Sequence, residues 1–202
     1  MAKILVIYAH PNTQGHCSII KDEVRKQLDG KKEEYEFIDL YAMKYDPILH
    51  EKEHYTAGEY AISDQNKKFQ KKVADANKLI FIYPIWWNSM PAILKGWLDR
   101  VLTSHFAFKF TPKRFLGMEI AIPVKLLKGR KALLFITGGT NRFLAWTFLR
   151  DRAAKIMGKD TLGFCGIKTQ VCQFGGCVKM TDKKAEELRK GVQRNLPGFM
   201  GW

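Results

Sequence analysis

Five apolar segments dominate the hydrophobic pattern of the chain. Continuous apolar runs at Lys3–Tyr8, Leu79–Tyr83 and Lys131–Thr137 predict parallel strands that are buried on both faces, because such strands lack polar alternation. Glu34–Leu40 and Leu162–Phe174 are weaker runs that predict two more strands. The sequence therefore predicts a sheet of five strands.

Between these runs, apolar residues recur at the spacing of helices that bury one face. The predicted helices are Ile19–Leu28, Ser63–Ala76, a helix that starts at Pro91, Arg142–Ile156 and Thr181–Arg194. Ser63 and Thr181 are the expected N-caps, since a hydroxyl there accepts a bond from a free amide. A long polar connection spans 41–62, and an irregular stretch spans 105–128 with a hairpin-like part at Met118–Val124. The tail after Arg194 has no clear assignment.

Strands and helices thus alternate along the whole chain, which favours one α/β domain over residues 1–202. Right-handed crossovers place helices on both faces of a parallel sheet. The expected strand order is 2-1-3-4-5, which changes direction between the first and third strands. Ligands bind at such a point, so the loops after the first, third and fourth strands are expected to share one crevice.

Composition narrows the class of protein. A chain of 202 residues, 46% hydrophobic, can bury one substantial core. Its four cysteines form no C-x-x-C pair, no histidines cluster at metal-ligand spacing, and reduced thiols in a cytoplasmic protein are expected. The N-terminal apolar run is too short for a signal peptide or a membrane span. No metal site is predicted.

The net charge of +14 favours anionic ligands such as phosphorylated cofactors. Lysines and arginines are spread along the chain, which is also typical of an ordinary solvated surface. A nucleic-acid function is not expected, because no helix-turn-helix, zinc-finger or RNA-recognition pattern is present.

The three loops of the expected crevice carry suitable chemistry. His10–Ser18 leads into a helix N-terminus, which is a phosphate site, although the G-x-G-x-x-G pattern is absent. Pro84–Met90 contains Trp86 and Trp87, which cannot both enter one core, so one is expected beside a planar ligand or a partner. Thr137–Thr140 has two glycines that let a ligand approach the backbone. Each loop taken alone is also compatible with a purely structural role.

At this point the chain resembles the NAD(P)H:quinone oxidoreductase family of flavodoxin-like flavoproteins, the DT-diaphorase group. The matching segments follow the chain in order and cover most of it. They are YAHPN at 8–12, IDLYAMKYDP at 38–47, FIYPIWWNSMPAILKGWLDRV at 81–101, FAFKF at 106–110, KALLFITGGT at 131–140 and LGFCGI at 162–167.

The resemblance implies a tightly held flavin, FMN or FAD, that takes hydride from NADPH or NADH and passes it to a quinone in the same pocket. It implies a homodimer with the active site at the interface. The implied flavin contacts are His10, Gly15, His16, Cys17, Ser18, Pro84, Ile85, Trp86, Trp87, Asn88, Thr137, Gly138 and Gly139. The implied substrate pocket contains Trp87, Phe108, Phe110, Phe164 and Arg142, and the flavin itself performs the chemistry.

The chain also departs from this family. Phe108 and Phe110 stand where diaphorases have tyrosines, and residues 141–144 lack the tyrosine and histidine that some members place after the glycine pair. Arg142 is expected to balance flavin charge, to bind the 2′-phosphate of the donor, or to be a surface residue. The connection from Gly58 to Asn66 is shorter than in FAD-binding members, which favours FMN.

Two other functions remain open at this stage. One is a one-electron carrier like flavodoxin, which the positive charge disfavours because flavodoxins are typically acidic. The other is an ancillary subunit of a membrane potassium-efflux system, whose positive surface would suit an acidic membrane face.

Overall fold

Seven strands are found in the computed structural model, which describes residues 3–54, 60–115 and 118–202. They are β1 (Lys3–Tyr8), β2 (Tyr35–Asp39), β3 (Ala76–Pro84), β4 (Phe108–Phe115), β5 (Met118–Lys125), β6 (Lys131–Thr137) and β7 (Lys168–Phe174). Five of them form a parallel sheet in the order β2-β1-β3-β6-β7. Since β6 and β7 are the predicted fourth and fifth strands, the expected order 2-1-3-4-5 is confirmed.

Helices cover both faces of this sheet. They are α1 (His16–Gly30), α2 (Asp64–Asp75), α3 (Ala92–Val101), α4 (Arg142–Thr147), α5 (Arg152–Lys155), α6 (Gly163–Cys165) and α7 (Asp182–Met200). One core layer joins the sheet to α2 and α3, and the other joins it to α1 and α7. Both predicted N-caps are confirmed, since Ser63 accepts from the Asn66 amide at 3.4 Å and Thr181 from the Lys184 amide at 3.1 Å.

The predicted single helix over 142–156 is wrong. It breaks after α4, because Arg150 and Asp151 adopt positive φ angles of 52° and 53°. The Asp151 carboxylate folds back to accept two bonds from the Arg142 guanidinium, at 2.5 and 2.9 Å. α5 then continues into a π-helical segment, Ile156–Leu162, and into α6. The fifth strand therefore starts at Lys168 rather than Leu162.

Two segments that the sequence analysis left without regular structure are a hairpin and a helix. The stretch over 105–128 contains an antiparallel hairpin of β4 and β5, a two-stranded sheet in which both strands are edges and therefore tolerate Pro112 and Pro123. The tail is helical through Met200 although Pro197 lies inside it. Leu196 and Phe199 are buried in the α1–α7 core layer, which explains why the helix persists. α1 begins at His16 rather than Ile19.

The connection between β2 and α2 packs on α3. The Arg100 guanidinium is buried and donates from Nε to the Glu53 carboxylate at 2.6 Å, and it also contacts Asp46. A Cβ added to Gly96 would lie 2.1 Å from the Pro47 carbonyl oxygen, so α3 and this connection touch through backbone atoms. Residues 55–59 lie outside the described residues, and they include Gly58, where the connection that favours FMN begins.

None of the helices in residues 3–54, 60–115 and 118–202 has the combination of length and apolar character that crossing a membrane requires.

Candidate functional site

The loop after β1 lies against the loop after β3. The Asn12 amide donates to Nδ1 of His10 at 3.0 Å, and the Gln14 amide donates to the Asn12 side chain at 2.7 Å. These bonds hold the His10 ring, whose centroid is 6.1 Å from that of Trp86. Burial lowers the pKa of His10, so the ring is neutral at pH 7. The two predicted loops therefore meet, as parallel topology requires.

The N-terminus of α1 is open to a ligand. Its N-cap is Gly15, which provides no side-chain oxygen, and the first turn carries no acidic residue. The Nε2 atom of His16 is buried without a hydrogen-bond partner among the described residues. Free amides, the positive end of the helix dipole and an unpaired imidazole nitrogen together fit an anionic oxygen group such as a phosphate.

Cys17 and Ser18 hold this first turn in place. The Cys17 sulfur shares a hydrogen bond of 3.1 Å with the Thr137 hydroxyl at the end of β6, which ties the first loop to the third. The Ser18 hydroxyl donates to the Gly15 carbonyl at 2.6 Å. Burial raises the pKa of Cys17 to about 12, so its thiol stays protonated and is no nucleophile at neutral pH.

The loop after β3 forms a tight turn with an unusual backbone. The Trp86 and Ser89 backbones exchange two hydrogen bonds, at 2.9 and 3.0 Å. The two central residues, Trp87 and Asn88, have φ angles of 47° and 58°, which is the pattern of a type I′ turn. The Trp87 side chain is 102% exposed. A tryptophan that is strained and buries nothing points to a functional surface.

The loop after β6 closes the rim. The Ile85 amide donates to the Thr137 carbonyl at 2.7 Å, and the Gly138 amide donates to the Phe174 carbonyl at 2.9 Å. A Cβ at Gly138 would lie 3.4 Å from the Ile85 side chain. A methyl group at this position would therefore contact the neighbouring loop through Ile85.

The loops after β3 and β6 border a cavity of about 310 Å³, which is within the usual range for small-molecule sites. Ile85, Trp87, Asn88, Gly138 and Gly139 line it, and all five are predicted site residues. The opposite wall comes from the segment after the third loop and from β7. Its members, missed from the sequence, are Thr140, Ala145, Leu149, Asp151, Arg152, Ala153 and Gln173. Gln173 could have been found from the sequence, since it is a polar residue near the carboxyl end of a strand, where ligands bind in such sheets.

The predicted pocket residues Phe108, Phe110 and Phe164 form one aromatic cluster elsewhere. The Phe108 ring lies 5.1 Å from Phe164 and 5.7 Å from Phe110, centroid to centroid. Phe108 and Phe164 line a second cavity of about 370 Å³ beside α3, and none of the three lines the first cavity. Within one chain, the structure separates this cluster from the three loops. Arg142 also lies outside the first cavity, in its ion pair with Asp151.

A parallel sheet of order 2-1-3-4-5, with three ligand-ready loops at one rim, defines the flavodoxin-like class of α/β proteins. The chain belongs to the flavodoxin-like fold family, because the model of that family matches residues 2–195.

Relatives and solved structures agree with this assignment. The chain is 30% identical over 185 residues to an NAD(P)H oxidoreductase of Haemophilus influenzae, covering 91% of this chain and 88% of that protein. It is 30% identical over 211 residues to the human ribosyldihydronicotinamide dehydrogenase [quinone], covering 94% and 87%. A crystal structure of a Streptococcus mutans protein superposes with a TM-score of 0.82 at 32% identity, covering 95% and 97%.

Proposed function

We propose that this protein is a flavin-dependent oxidoreductase that uses NAD(P)H to reduce quinones, and related azo or nitro compounds, by two-electron transfer. The observation that carries the proposal is a cavity lined by the loops after β3 and β6, to which the loop after β1 and its uncapped helix N-terminus are joined by the His10–Trp86 contact and the Cys17–Thr137 hydrogen bond. The relatives of similar length named as NAD(P)H oxidoreductases and quinone dehydrogenases support it.

The phosphate end of the flavin would bind at the start of α1. The open amides after Gly15, the buried and unpaired Nε2 of His16, and the neighbouring Cys17 and Ser18 fit an anionic group. His10 would border this end through its contact with Trp86. A net charge of +14 would add a favourable long-range field for a phosphorylated cofactor.

The ring end of the flavin would lie in the cavity. Pro84–Asn88 would border it on one side, while Thr137, Gly138 and Gly139 would border the other. The flavin, when bound, supplies the hydride chemistry. The protein would orient the ring, and Trp87 and Leu149, which line the cavity, would lie beside the site where donor and acceptor bind in turn.

FMN is the favoured flavin. The connection before α2 is short compared with the FAD-binding relatives that the sequence resembles, so little chain is available to hold an adenine. Electrons would come from NADPH or NADH.

A homodimer would complete the site. Phe143, Trp146 and Phe148, in and just after α4, are 64%, 61% and 78% exposed, and Phe110 on β4 is 53% exposed. Aromatic side chains left open at this density are typical of protein interfaces. The cluster of Phe108, Phe110 and Phe164, which does not reach the cavity of its own chain, would then face the cavity of the partner.

The test combines pigment analysis with steady-state kinetics. We expect the purified protein to be yellow, to release FMN on denaturation, and to oxidise NADPH with menadione without any partner protein. A stable blue flavin radical without turnover would instead support an electron carrier. Colourless protein that takes up neither FMN nor FAD would refute the proposal.

The Phe108→Ala variant tests whether the cofactor site and the acceptor site are distinct. Because Phe108 lies outside the flavin loops, the variant should lose quinone turnover while keeping its flavin-to-protein ratio. Loss of flavin with retained turnover per flavin would place Phe108 in the cofactor site or the core. A shift to monomers in sedimentation would link the loss of turnover to the interface.

A further inference from the structure

A positively charged groove runs beside the candidate cavity, along edge strand β7. Its volume is about 510 Å³, and its walls include Lys155, Lys159, Thr169 and Asn195. Asp151 and Gln173 line both this groove and the 310 Å³ cavity, so the two spaces adjoin. A ligand long enough can therefore occupy both at once.

The charges in this groove are not equally available. The Arg142 guanidinium is neutralised by the two bonds to Asp151. Lys155 and Lys159 lie four residues apart on α5 and the π-helical segment that follows it, and both are exposed. In the described part of the chain, neither ammonium group has an acidic partner or a side-chain hydrogen bond, so both are free to bind an anion.

The donor of the proposed reaction has a suitable shape and charge. A dinucleotide whose nicotinamide meets the flavin ring at the mouth of the cavity would reach the adjoining groove with its adenosine end. NADPH differs from NADH by a 2′-phosphate on that adenosine, and such a phosphate carries about −1.5 to −2 charges at pH 7. Two unpaired ammonium groups match this charge, whereas the hydroxyl of NADH leaves them unpaired.

We propose that Lys155 and Lys159 bind the 2′-phosphate of NADPH, and that they make this protein select NADPH over NADH. The inference rests on the proposed function, because it assumes that the dinucleotide is the donor. It assigns the specificity to two lysines rather than to Arg142, whose charge is already satisfied by Asp151.

The kinetic test uses a double variant and a matched control. Lys155→Gln/Lys159→Gln should lower kcat/KM for NADPH about 10-fold relative to NADH, the size expected of two partly exposed charge contacts. Lys67→Gln/Lys71→Gln removes the same charge at the same spacing on α2, so it controls for the general field of the protein. An unchanged NADPH-to-NADH ratio, or an equal change in the control variant, would overturn the proposal.

A binding test separates this proposal from the reaction itself. Calorimetry on the protein as purified should show adenosine 2′,5′-bisphosphate binding about 10-fold more tightly than adenosine 5′-monophosphate. This preference should vanish in the Lys155/Lys159 double variant and persist in the Lys67/Lys71 variant. If neither nicotinamide supports turnover but the preference is found, the groove stands and the proposed reaction fails. Equal affinity for the two nucleotides would refute the groove.

Discussion

Trp87 offers a direct test of strain at the candidate site. Its φ angle of 47° lies in the left-handed region, which costs a non-glycine residue about 1–2 kcal/mol. Glycine pays no such penalty, but its freedom in the unfolded chain offsets about 0.5–1 kcal/mol of the gain. The tryptophan side chain is 102% exposed, so its removal forfeits no buried area. Trp87→Gly should therefore raise the free energy of unfolding by roughly 0.5–1 kcal/mol.

Urea unfolding of the flavin-free protein at 25 °C measures this change. Asn88→Gly is the matched control, because asparagine already tolerates the left-handed region and little change is expected there. In flavin-loaded Trp87→Gly protein, quinone turnover should fall, since the exposed ring forms one wall of the cavity. A less stable variant would refute the strain argument, and unchanged turnover would refute the functional one.

Two further substitutions test how the connection before α2 is held on α3. Gly96→Ala would place a Cβ 2.1 Å from a backbone oxygen and should lower the free energy of unfolding by about 1–3 kcal/mol, whereas Gly30→Ala, with nothing within 4 Å, should not. Burial raises the pKa of Glu53, but its bonds to Arg100 and nearby amides outweigh this and leave the pKa lowered. Stability from a lowered carboxyl pKa is present above the unfolded value of about 4.3 and is lost as the pH falls through the folded one. Glu53→Gln should thus lower the free energy of unfolding by about 1.5–3 kcal/mol at pH 7, and by progressively less in acid. Urea titrations at a series of pH values measure this difference. A difference that does not change with pH would contradict the lowered pKa of Glu53.

The central sheet could be predicted from the sequence because its strands are buried on both faces. β1 and β6 match the predicted bounds, and Ser63 and Thr181 cap the helices they were expected to cap. Continuous apolar runs and capping hydroxyls are local signals, and neither depends on a distant partner. The strand order 2-1-3-4-5 is one of the two common orders for such a sheet, and right-handed connections place helices on both of its faces.

The segment after β6 could not be predicted, because its conformation is not marked by a local signal in the sequence. No glycine or proline marks the break between α4 and α5, and the ion pair between Arg142 and Asp151 that accompanies it joins residues nine positions apart. The second wall of the cavity is built by this break, so residues such as Leu149 and Asp151 escaped prediction. The last helix runs past its predicted end at Arg194 and through Pro197, because its packing on α1 outweighs the hydrogen bond that a proline removes.

The missing side-chain cap at Gly15 connects cofactor retention with folding. An anion at the start of α1 would bind the folded chain and not the unfolded one, so it would stabilise the fold by mass action. The linkage is reciprocal. Once a distant substitution leaves an appreciable fraction of chains unfolded, a higher concentration of free flavin is needed to saturate the protein. A pale preparation of a core variant would then report a weakened scaffold, and only added flavin could distinguish this from a damaged binding site.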